Sequence, residues 1–211
     1  MSRLFTLLLG SLLFTTTTFV DATKQHLPAI KLLGNSMDVE PVDIDEDGDL
    51  DLVIANEFRP NIVLINDGEG HFTDGSAERL PQPAHDSEDI ALGDFDADGD
   101  IDIVFVAEDD QTNEYYLNDG KGYFSEAPNP LPVTGTSNAV ITADFDQDGD
   151  LDLMLGNAGQ NFLLINDGKG RFTDETESYL PSVNDQTQDL EAGDVDGDGD
   201  LDVIAGNEDQ N

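Results

Sequence analysis

The sequence predicts an all-β protein built of β-propeller blades, each with about four antiparallel strands, in a ring that is incomplete. Three observations lead to this fold class. An aspartate-rich motif recurs at a constant interval, an apolar run leaves each copy, and an Asp-Gly turn follows in three copies. Because a period of about 50 residues holds four short strands and no helical pattern, it corresponds to one propeller blade.

The aspartate motif begins at Asp43, Asp94, Asp144 and Asp194, so successive copies are 51, 50 and 50 residues apart. The second copy, residues 94–102, reads Asp-Phe-Asp-Ala-Asp-Gly-Asp-Ile-Asp. Each copy has aspartate at every odd position, glycine at the sixth, and an apolar strand behind it. The aspartates concerned are Asp43, Asp45, Asp47, Asp49, Asp51, Asp94, Asp96, Asp98, Asp100, Asp102, Asp144, Asp146, Asp148, Asp150, Asp152, Asp194, Asp196, Asp198, Asp200 and Asp202.

Three hairpins are predicted over residues 63–72, 115–124 and 162–172, each with the pattern Asn-Asp-Gly-x-Gly-x-Phe. Asp-Gly between two apolar runs is a strong turn signal, because glycine tolerates the positive φ of a tight hairpin. A Leu-Pro pair precedes each period. The repeats therefore cover about residues 27–79, 80–130, 131–179 and 180–211, the last one truncated.

Three full repeats and part of a fourth fall short of a closed propeller, which usually has about four to eight blades. We expect the sequence to be the N-terminal part of a longer protein. The alternative is a short chain that closes its ring by association. In either case the terminal strands leave open blade edges, so self-association through these edges is expected.

The composition is strongly acidic, with 47 acidic against 8 basic residues and a formal net charge of −39. Nucleic acids and anionic membrane surfaces are bound by basic patches, so the charge argues against both as partners. The chain has no cysteine, which excludes a disulfide framework and thiol chemistry.

Residues 1–22 are predicted to be a secretory signal peptide. A short basic start is followed by the apolar run 4–14, and the small or medium residues Val20 and Ala22 precede a cleavage site. The apolar run is too short to span a bilayer, which takes about 20 residues, so no transmembrane segment is expected. A buried N-terminal strand or helix is the alternative. If residues 1–22 are a signal peptide, the mature repeat domain comprises residues 23–211 and is secreted, either to the extracellular space or to the periplasm.

The aspartate motif predicts a calcium site in each repeat, because Ca²⁺ takes about six to eight oxygen ligands. In the second copy the carboxylates of Asp94, Asp96 and Asp98 can turn inward, and Gly99 permits the sharp turn. Asp100 is expected to offer its backbone carbonyl, and Asp102 to close the site. The pattern argues against an EF-hand or a dockerin-like helical repeat, because the position of the twelfth, bidentate glutamate is apolar in every copy. Solvated acidic turns without metal are the alternative, at a cost in repulsion.

The combination of Gly-Asp-Phe-Asp-x-Asp-Gly-Asp-x-Asp with Asn-Asp-Gly-x-Gly-x-Phe resembles the FG-GAP/VCBS repeat over about residues 27–211. The resemblance implies calcium-binding β-propeller blades like those of integrin α subunits and of secreted bacterial proteins. It also implies that Ca²⁺ lies in the loop between two strands of a blade and rigidifies it. The first copy departs slightly, with Val42 and Ile44 in place of the usual Gly and Phe. The family is functionally broad, so its fold does not define a function.

Two functions remain open at this point: a binding or adhesion scaffold for a protein or glycan, and the propeller part of an extracellular polysaccharide-acting enzyme. The histidines, His26, His71 and His85, do not recur at one position of the repeat, and His71 is expected to be exposed in a hairpin. No catalytic residue is therefore assigned, and binding is favoured. The candidate ligand-contacting loops are the non-repeating residues 57–60 and 107–112, although ordinary loop variation explains them too.

Overall fold

The computed structural model describes residues 20–28, 35–108 and 112–208. Most of the predicted signal peptide and residues 109–111 of the second candidate loop lie outside these ranges. The signal peptide and the domain limits 23–211 therefore stay predictions. Among the described residues, no helix has the length and apolar character needed to cross a membrane.

The chain is all-β, as predicted, and the described strands do not close a ring. Two antiparallel sheets of four sequential strands form blades 1 and 2. A third sheet has six strands, because the four strands of blade 3 pair through residues 158–159 with two further strands that form unit 4. Blade 1 consists of β1 (Asn35–Val42), β2 (Asp51–Glu57), β3 (Ile62–Asn66) and β4 (Phe72–Asp74). Blade 2 consists of β5 (Ser87–Gly93), β6 (Asp102–Ala107), β7 (Glu114–Asn118) and β8 (Phe124–Glu126). Blade 3 consists of β9 (Ser137–Ala143), β10 (Asp152–Gly159), β11 (Phe162–Asn166) and β12 (Phe172–Asp174), and unit 4 of β13 (Asp185–Gly193) and β14 (Asp202–Asn207).

Because the strands of a blade alternate in direction, the connections between them lie at one end of the blade or at the other. The aspartate loops join the first strand to the second, and the Asp-Gly hairpins join the third to the fourth, so both lie at one end. We call this the loop end. The turns between second and third strands and the connections between blades lie at the opposite end. The predicted hairpins are confirmed, with Asn66 opposite Phe72 and Asn118 opposite Phe124.

Three one-turn helices, which the sequence did not predict, complete the described structure: α1 (Thr23–His26), α2 (Ser76–Arg79) and α3 (Thr176–Tyr179). Each has four residues, which is too short for a helical period in the sequence. α2 and α3 follow the last strands of blades 1 and 3. At their starts, the Asp74 and Asp174 carboxylates accept the N–H of Ser76 at 2.9 Å and of Thr176 at 3.0 Å.

The hydrophobic core lies between blades and not within single sheets. One cluster, which includes Ile44, Val53, Ile103 and Phe105, joins blades 1 and 2. A second cluster joins blades 2 and 3 around Phe95, which packs edge-on against Tyr115 and Phe172 with ring centroids 5.8 and 5.6 Å apart. Because the second residue of the aspartate loop (Ile44, Phe95) enters these clusters, the loops of blades 1 and 2 are anchored in the core.

Asp89 connects the first strands of three successive blades. Its Oδ2 accepts the backbone N–H of Val140 in blade 3 at 2.7 Å, and its Oδ1 accepts that of Ile90 at 2.8 Å. Burial of the carboxyl, with Asp38 of blade 1 beside it, raises the pKa of Asp89 from 3.8 to about 6. Proximity to Asp38 also raises the pKa of Glu40, after the larger effect of burial.

Unit 4 exposes apolar side chains whose counterparts in blade 2 are buried. Val195 is 67% exposed whereas Phe95 is 0% exposed, and Ile204 is 58% exposed whereas Val104 is 0% exposed. Within the described part of the chain, β14 pairs with β13 alone. The expected self-association through blade edges stays a prediction.

Candidate metal centre

Each aspartate loop is closed by its own side-chain-to-backbone hydrogen bonds. In blade 2, Asp94 Oδ1 and Oδ2 accept the N–H of Asp98 and of Gly99, both at 3.1 Å. Asp98 Oδ1 accepts the N–H of Asp100 at 3.1 Å. The same three bonds recur in the other copies, at residues 43–49, 144–150 and 194–200. Because the carboxylates satisfy these N–H groups, the loop is formed by the motif itself.

The loop also requires two residues in the left-handed region. Gly99 has φ 102°, and the loop glycines of the other copies lie between 96° and 101°. The fourth position is left-handed as well, at φ 59° for Ala97, and glycine takes it only in the last copy, at φ 81° for Gly197. A β-carbon there costs energy, so three of the loops contain backbone strain that the fourth avoids.

The structure brings together the first, third and ninth aspartates of every loop. In each copy one carboxylate oxygen from each of these residues lies within 4.8 Å of the other two. These groups are Asp43, Asp45 and Asp51; Asp94, Asp96 and Asp102; Asp144, Asp146 and Asp152; and Asp194, Asp196 and Asp202. The fifth and seventh aspartates stay outside these groups. Those residues are Asp47, Asp49, Asp98, Asp100, Asp148, Asp150, Asp198 and Asp200.

The seventh aspartate is directed at the neighbouring hairpin in the three complete blades. A β-carbon on Gly120 would lie 2.6 Å from Asp100 Oδ2, and one on Gly168 would lie 2.3 Å from Asp150 Oδ2. Glycine is therefore needed at the hairpin for close approach as well as for its positive φ. This packing agrees with the expectation that the seventh residue offers its backbone carbonyl, although its role as a ligand stays a prediction.

The ninth aspartate is the buried member of each group in the three complete blades. Asp102 is 1% exposed, and its two oxygens accept the N–H of Phe95 at 3.2 Å and of Asn118 at 2.9 Å. Burial is the largest cause that raises the pKa of Asp102 to about 7, and the charges of Asp96 and Asp98 add to it. Burial likewise raises the pKa of Asp51 and of Asp152. A bound cation would favour the ionised form of these carboxyl groups.

Two orphaned oxygens show that the groups fit a metal ion. Asp45 Oδ1 and Asp96 Oδ1 are buried and have no hydrogen-bond partner in the described structure. Buried carboxylate oxygens without partners are costly, and they are the hard donors that Ca²⁺ prefers. The residues present therefore fit a divalent cation, and acidic clusters able to bind one are present in all four copies.

Two contacts of these loops were missed by the sequence analysis. The guanidinium of Arg79 donates to Asp45 Oδ2 at 3.1 Å and to the carbonyl of Lys121 at 2.8 Å, and it stacks over Tyr123. It therefore connects the first loop to the hairpin of blade 2. The sequence feature that could have drawn attention to Arg79 is that the chain has only 8 basic residues.

The second missed contact is made by the asparagine that begins each hairpin. The Nδ2 of Asn118 in blade 2 donates to the carbonyl of Ile44 in blade 1 at 2.9 Å. The Nδ2 of Asn166 in blade 3 donates to the carbonyl of Phe95 in blade 2 at 2.8 Å. The sequence feature that could have identified this contact is the asparagine that precedes Asp-Gly in every hairpin. These asparagines couple the aspartate loop of one blade to the hairpin of the next.

The candidate ligand-contacting loops and the histidines contribute no residue to the four groups of three aspartates. Phe58 is 55% exposed with φ 55°, at the end opposite the loop end. His71 is exposed in its hairpin, as predicted, and stacks on His26 with ring centroids 4.8 Å apart. His85 lies between blades 1 and 2, with Nε2 3.6 Å from Glu114 Oε1. A further group of three carboxylates, Asp86, Glu88 and Glu108, is present in blade 2 and was not predicted.

The chain belongs to the FG-GAP-like repeat family, which it matches over residues 43–105, 94–155 and 144–205. Each match spans two successive aspartate loops, so the family and the geometry agree on the repeating unit. A search of curated proteins finds no match.

Solved structures with similar folds are distant in sequence. An Agrocybe aegerita lectin that recognises non-reducing terminal N-acetylglucosamine is 21% identical, with a TM-score of 0.47, over 78% of this chain and 45% of the lectin. The Photorhabdus luminescens Tc holotoxin pore is 22% identical, with a TM-score of 0.49, over 86% and 9%. A V. cholerae biofilm matrix protein is 17% identical, with a TM-score of 0.48, over 85% and 30%. This chain thus spans less than half of each, and these distant similarities carry no functional argument.

Proposed function

We propose that the protein is a secreted calcium-binding repeat protein that acts as a binding or adhesion scaffold for a protein or glycan ligand. The observation that carries this proposal is the group of three aspartates repeated in all four loops, with an orphaned buried oxygen at Asp45 and at Asp96. Membership of the FG-GAP-like repeat family supports it. The first, third and ninth aspartates of each loop would hold the ion, with the fifth and seventh completing the site.

Calcium would supply positive charge to carboxylates whose pKa is raised by burial, as at Asp102. Contacts between neighbouring blades would then extend the rigidity of each loop to the adjacent blade. Ile44 and Phe95 anchor their loops in the clusters between blades, and Asn118 and Asn166 bond these loops to the next hairpin. Rigid blades hold the turns at the opposite end in fixed positions, as a binding surface requires.

Ligand contact is proposed for the end opposite the loop end, where the turns are not repeated in sequence. Phe58 and Arg59 are exposed there, and an exposed aromatic beside a cation is typical of binding surfaces. The ligand itself is a protein or a glycan.

A binding screen tests the proposal. Immobilised glycans and extracellular proteins are probed with the chain in millimolar calcium and in excess chelator. We expect calcium-dependent capture that Phe58→Ala weakens and His71→Ala, an exposed change at the loop end, leaves unchanged. Capture that is equal in chelator, or equally weakened by both variants, would contradict the proposal. Depolymerisation of a captured polysaccharide would instead support the enzyme alternative.

A further inference from the structure

A cavity of about 270 Å³ lies beside blade 2, at the end opposite the loop end. It is bounded by the segment before β5, by β7 and by the segment that follows β8, and its polar lining includes His85, Glu114, Tyr116 and Glu126. Its volume is close to the lower limit of small-molecule pockets, which start at about 300 Å³. The cavity therefore suits a ligand of only a few heavy atoms.

Glu114 is the feature of this cavity that the repeat does not explain. It is 7% exposed, and the equivalent positions in blades 1 and 3 are the apolar residues Ile62 and Phe162. A buried carboxylate is costly unless it is paired, whereas an apolar side chain at this position needs no partner, so the repeat itself does not require a glutamate here. A buried charged residue that lines a cavity and is unique to one repeat points to a function.

The surrounding contacts hold Glu114 in place from the side of blade 1. Its Oε2 accepts a hydrogen bond from Asn61 Nδ2 at 2.9 Å, and its Oε1 lies 3.6 Å from His85 Nε2. Tyr116 lies on the same face of β7, two residues further on, and is opposite Glu126 on β8. The side chains of Glu114, Tyr116 and Glu126 are thus arranged by the strand register.

The charge of the cavity is negative. Burial is the main cause that raises the pKa of Tyr116, and the charges of Glu114 and Glu126 raise it further. The residues that line the cavity include no lysine or arginine. A net charge of −39 adds a long-range attraction for cations.

We propose that this cavity is a binding site for a small organic cation, namely a primary ammonium group at the end of a short alkyl chain. Glu114 would accept the ammonium hydrogen bonds, Glu126 would add charge at the entrance, and the apolar lining at Pro83 and Leu131 would contact the alkyl chain. The site adds a ligand class to the proposed role as a binding scaffold and rests on that role.

The test is a titration of the calcium-loaded chain with n-butylammonium chloride at constant pH and ionic strength, followed by NMR. The chain has three histidines, so the ring signals of His85 can be followed, with His26 and His71 as internal controls. We expect n-butylammonium to shift the His85 signals in a saturable manner and its neutral isostere, 1-butanol, to have no such effect. Equal shifts with 1-butanol, or no saturable shift, would overturn the proposal.

Three variants separate binding from folding. Glu114→Ile installs the residue type of blade 1, and Glu114→Gln keeps the shape; both should weaken n-butylammonium binding by about tenfold or more, since a desolvated charge partner is lost. Glu88→Gln removes one nearby charge outside the cavity and should change the affinity less than about twofold. If all three variants keep the wild-type melting temperature but lose the same affinity for n-butylammonium, the binding depends only on the overall negative charge of the protein. That result would contradict a specific site in this cavity. If calcium stabilises the chain but n-butylammonium does not bind, this inference fails and the proposed function stands.

Discussion

The hydrogen bond that joins the hairpin of blade 2 to the aspartate loop of blade 1 can be tested by comparing Asn118, which makes it, with its counterpart Asn66 in blade 1. Asn118 Nδ2 donates to the carbonyls of Ile44 in blade 1 and Ile101 in its own blade, at 2.9 and 3.1 Å. Among the described residues, Asn66 Nδ2 donates only to Leu50 of its own blade, at 3.0 Å. Both side chains accept two backbone N–H bonds from their hairpin glycines, at 3.0 to 3.2 Å. The two side chains therefore differ in the bond to Ile44 and in burial, since Asn118 is buried and Asn66 is half-buried.

Asn118→Ala should consequently destabilise the protein more than Asn66→Ala. Loss of a buried hydrogen bond that leaves its acceptor unsatisfied costs about 1–3 kcal/mol, and this is the expected difference in the free energy of unfolding. Urea unfolding in saturating calcium, followed by circular dichroism, measures both variants against the wild type. Equal losses would refute the reasoning that this asparagine couples the loop of one blade to the hairpin of the next.

Two further changes concern a titrating carboxyl and a strained loop position. The folded pKa of Asp89, about 6, lies above its ordinary 3.8, so its stabilising contribution is fully present below pH 3.8 and is lost as the pH rises through 6. Between pH 4 and 7 the free energy of unfolding of the wild type should therefore fall by up to about 3 kcal/mol more than that of Asp89→Asn, as measured by urea unfolding. The same pH dependence in variant and wild type would contradict this. Ala97→Gly should relieve the backbone strain at φ 59° and raise the free energy of unfolding by about 0.5–1 kcal/mol, whereas a lower melting temperature would contradict this.

The strands and hairpins were predictable because the motif carries its own local physics. Asp94, Asp98 and Gly99 close a loop through hydrogen bonds and a positive φ that span only a few residues. The apolar runs on either side of the loop then become the first two strands of a blade. The fold class and the family therefore followed from local patterns repeated at a fixed interval.

The remaining features depend on contacts between residues far apart in sequence. Alternation of five aspartates does not reveal that the first, third and ninth converge while Asp100 packs on a glycine of the hairpin. The pairs Arg79–Asp45 and His85–Glu114 join different segments, so their spacing carries no signal. One-turn helices such as α2 were missed because four residues hold no period.

The central claim is that calcium in the aspartate loops is part of the fold. The most direct measurement is a thermal melt in millimolar calcium and in excess chelator, for the wild type, for Asp96→Asn and for Asp119→Asn. Asp96 has the orphaned buried oxygen, whereas Asp119 lies in the hairpin of the same blade and outside the group of three carboxylates.

We predict that calcium raises the melting temperature of the wild type and of Asp119→Asn, because each site filled at about 100 times its Kd adds about 2.7 kcal/mol. The rise should be smaller in Asp96→Asn. A wild-type melting temperature that is the same in calcium and in chelator, or an undiminished rise in Asp96→Asn, would contradict the account.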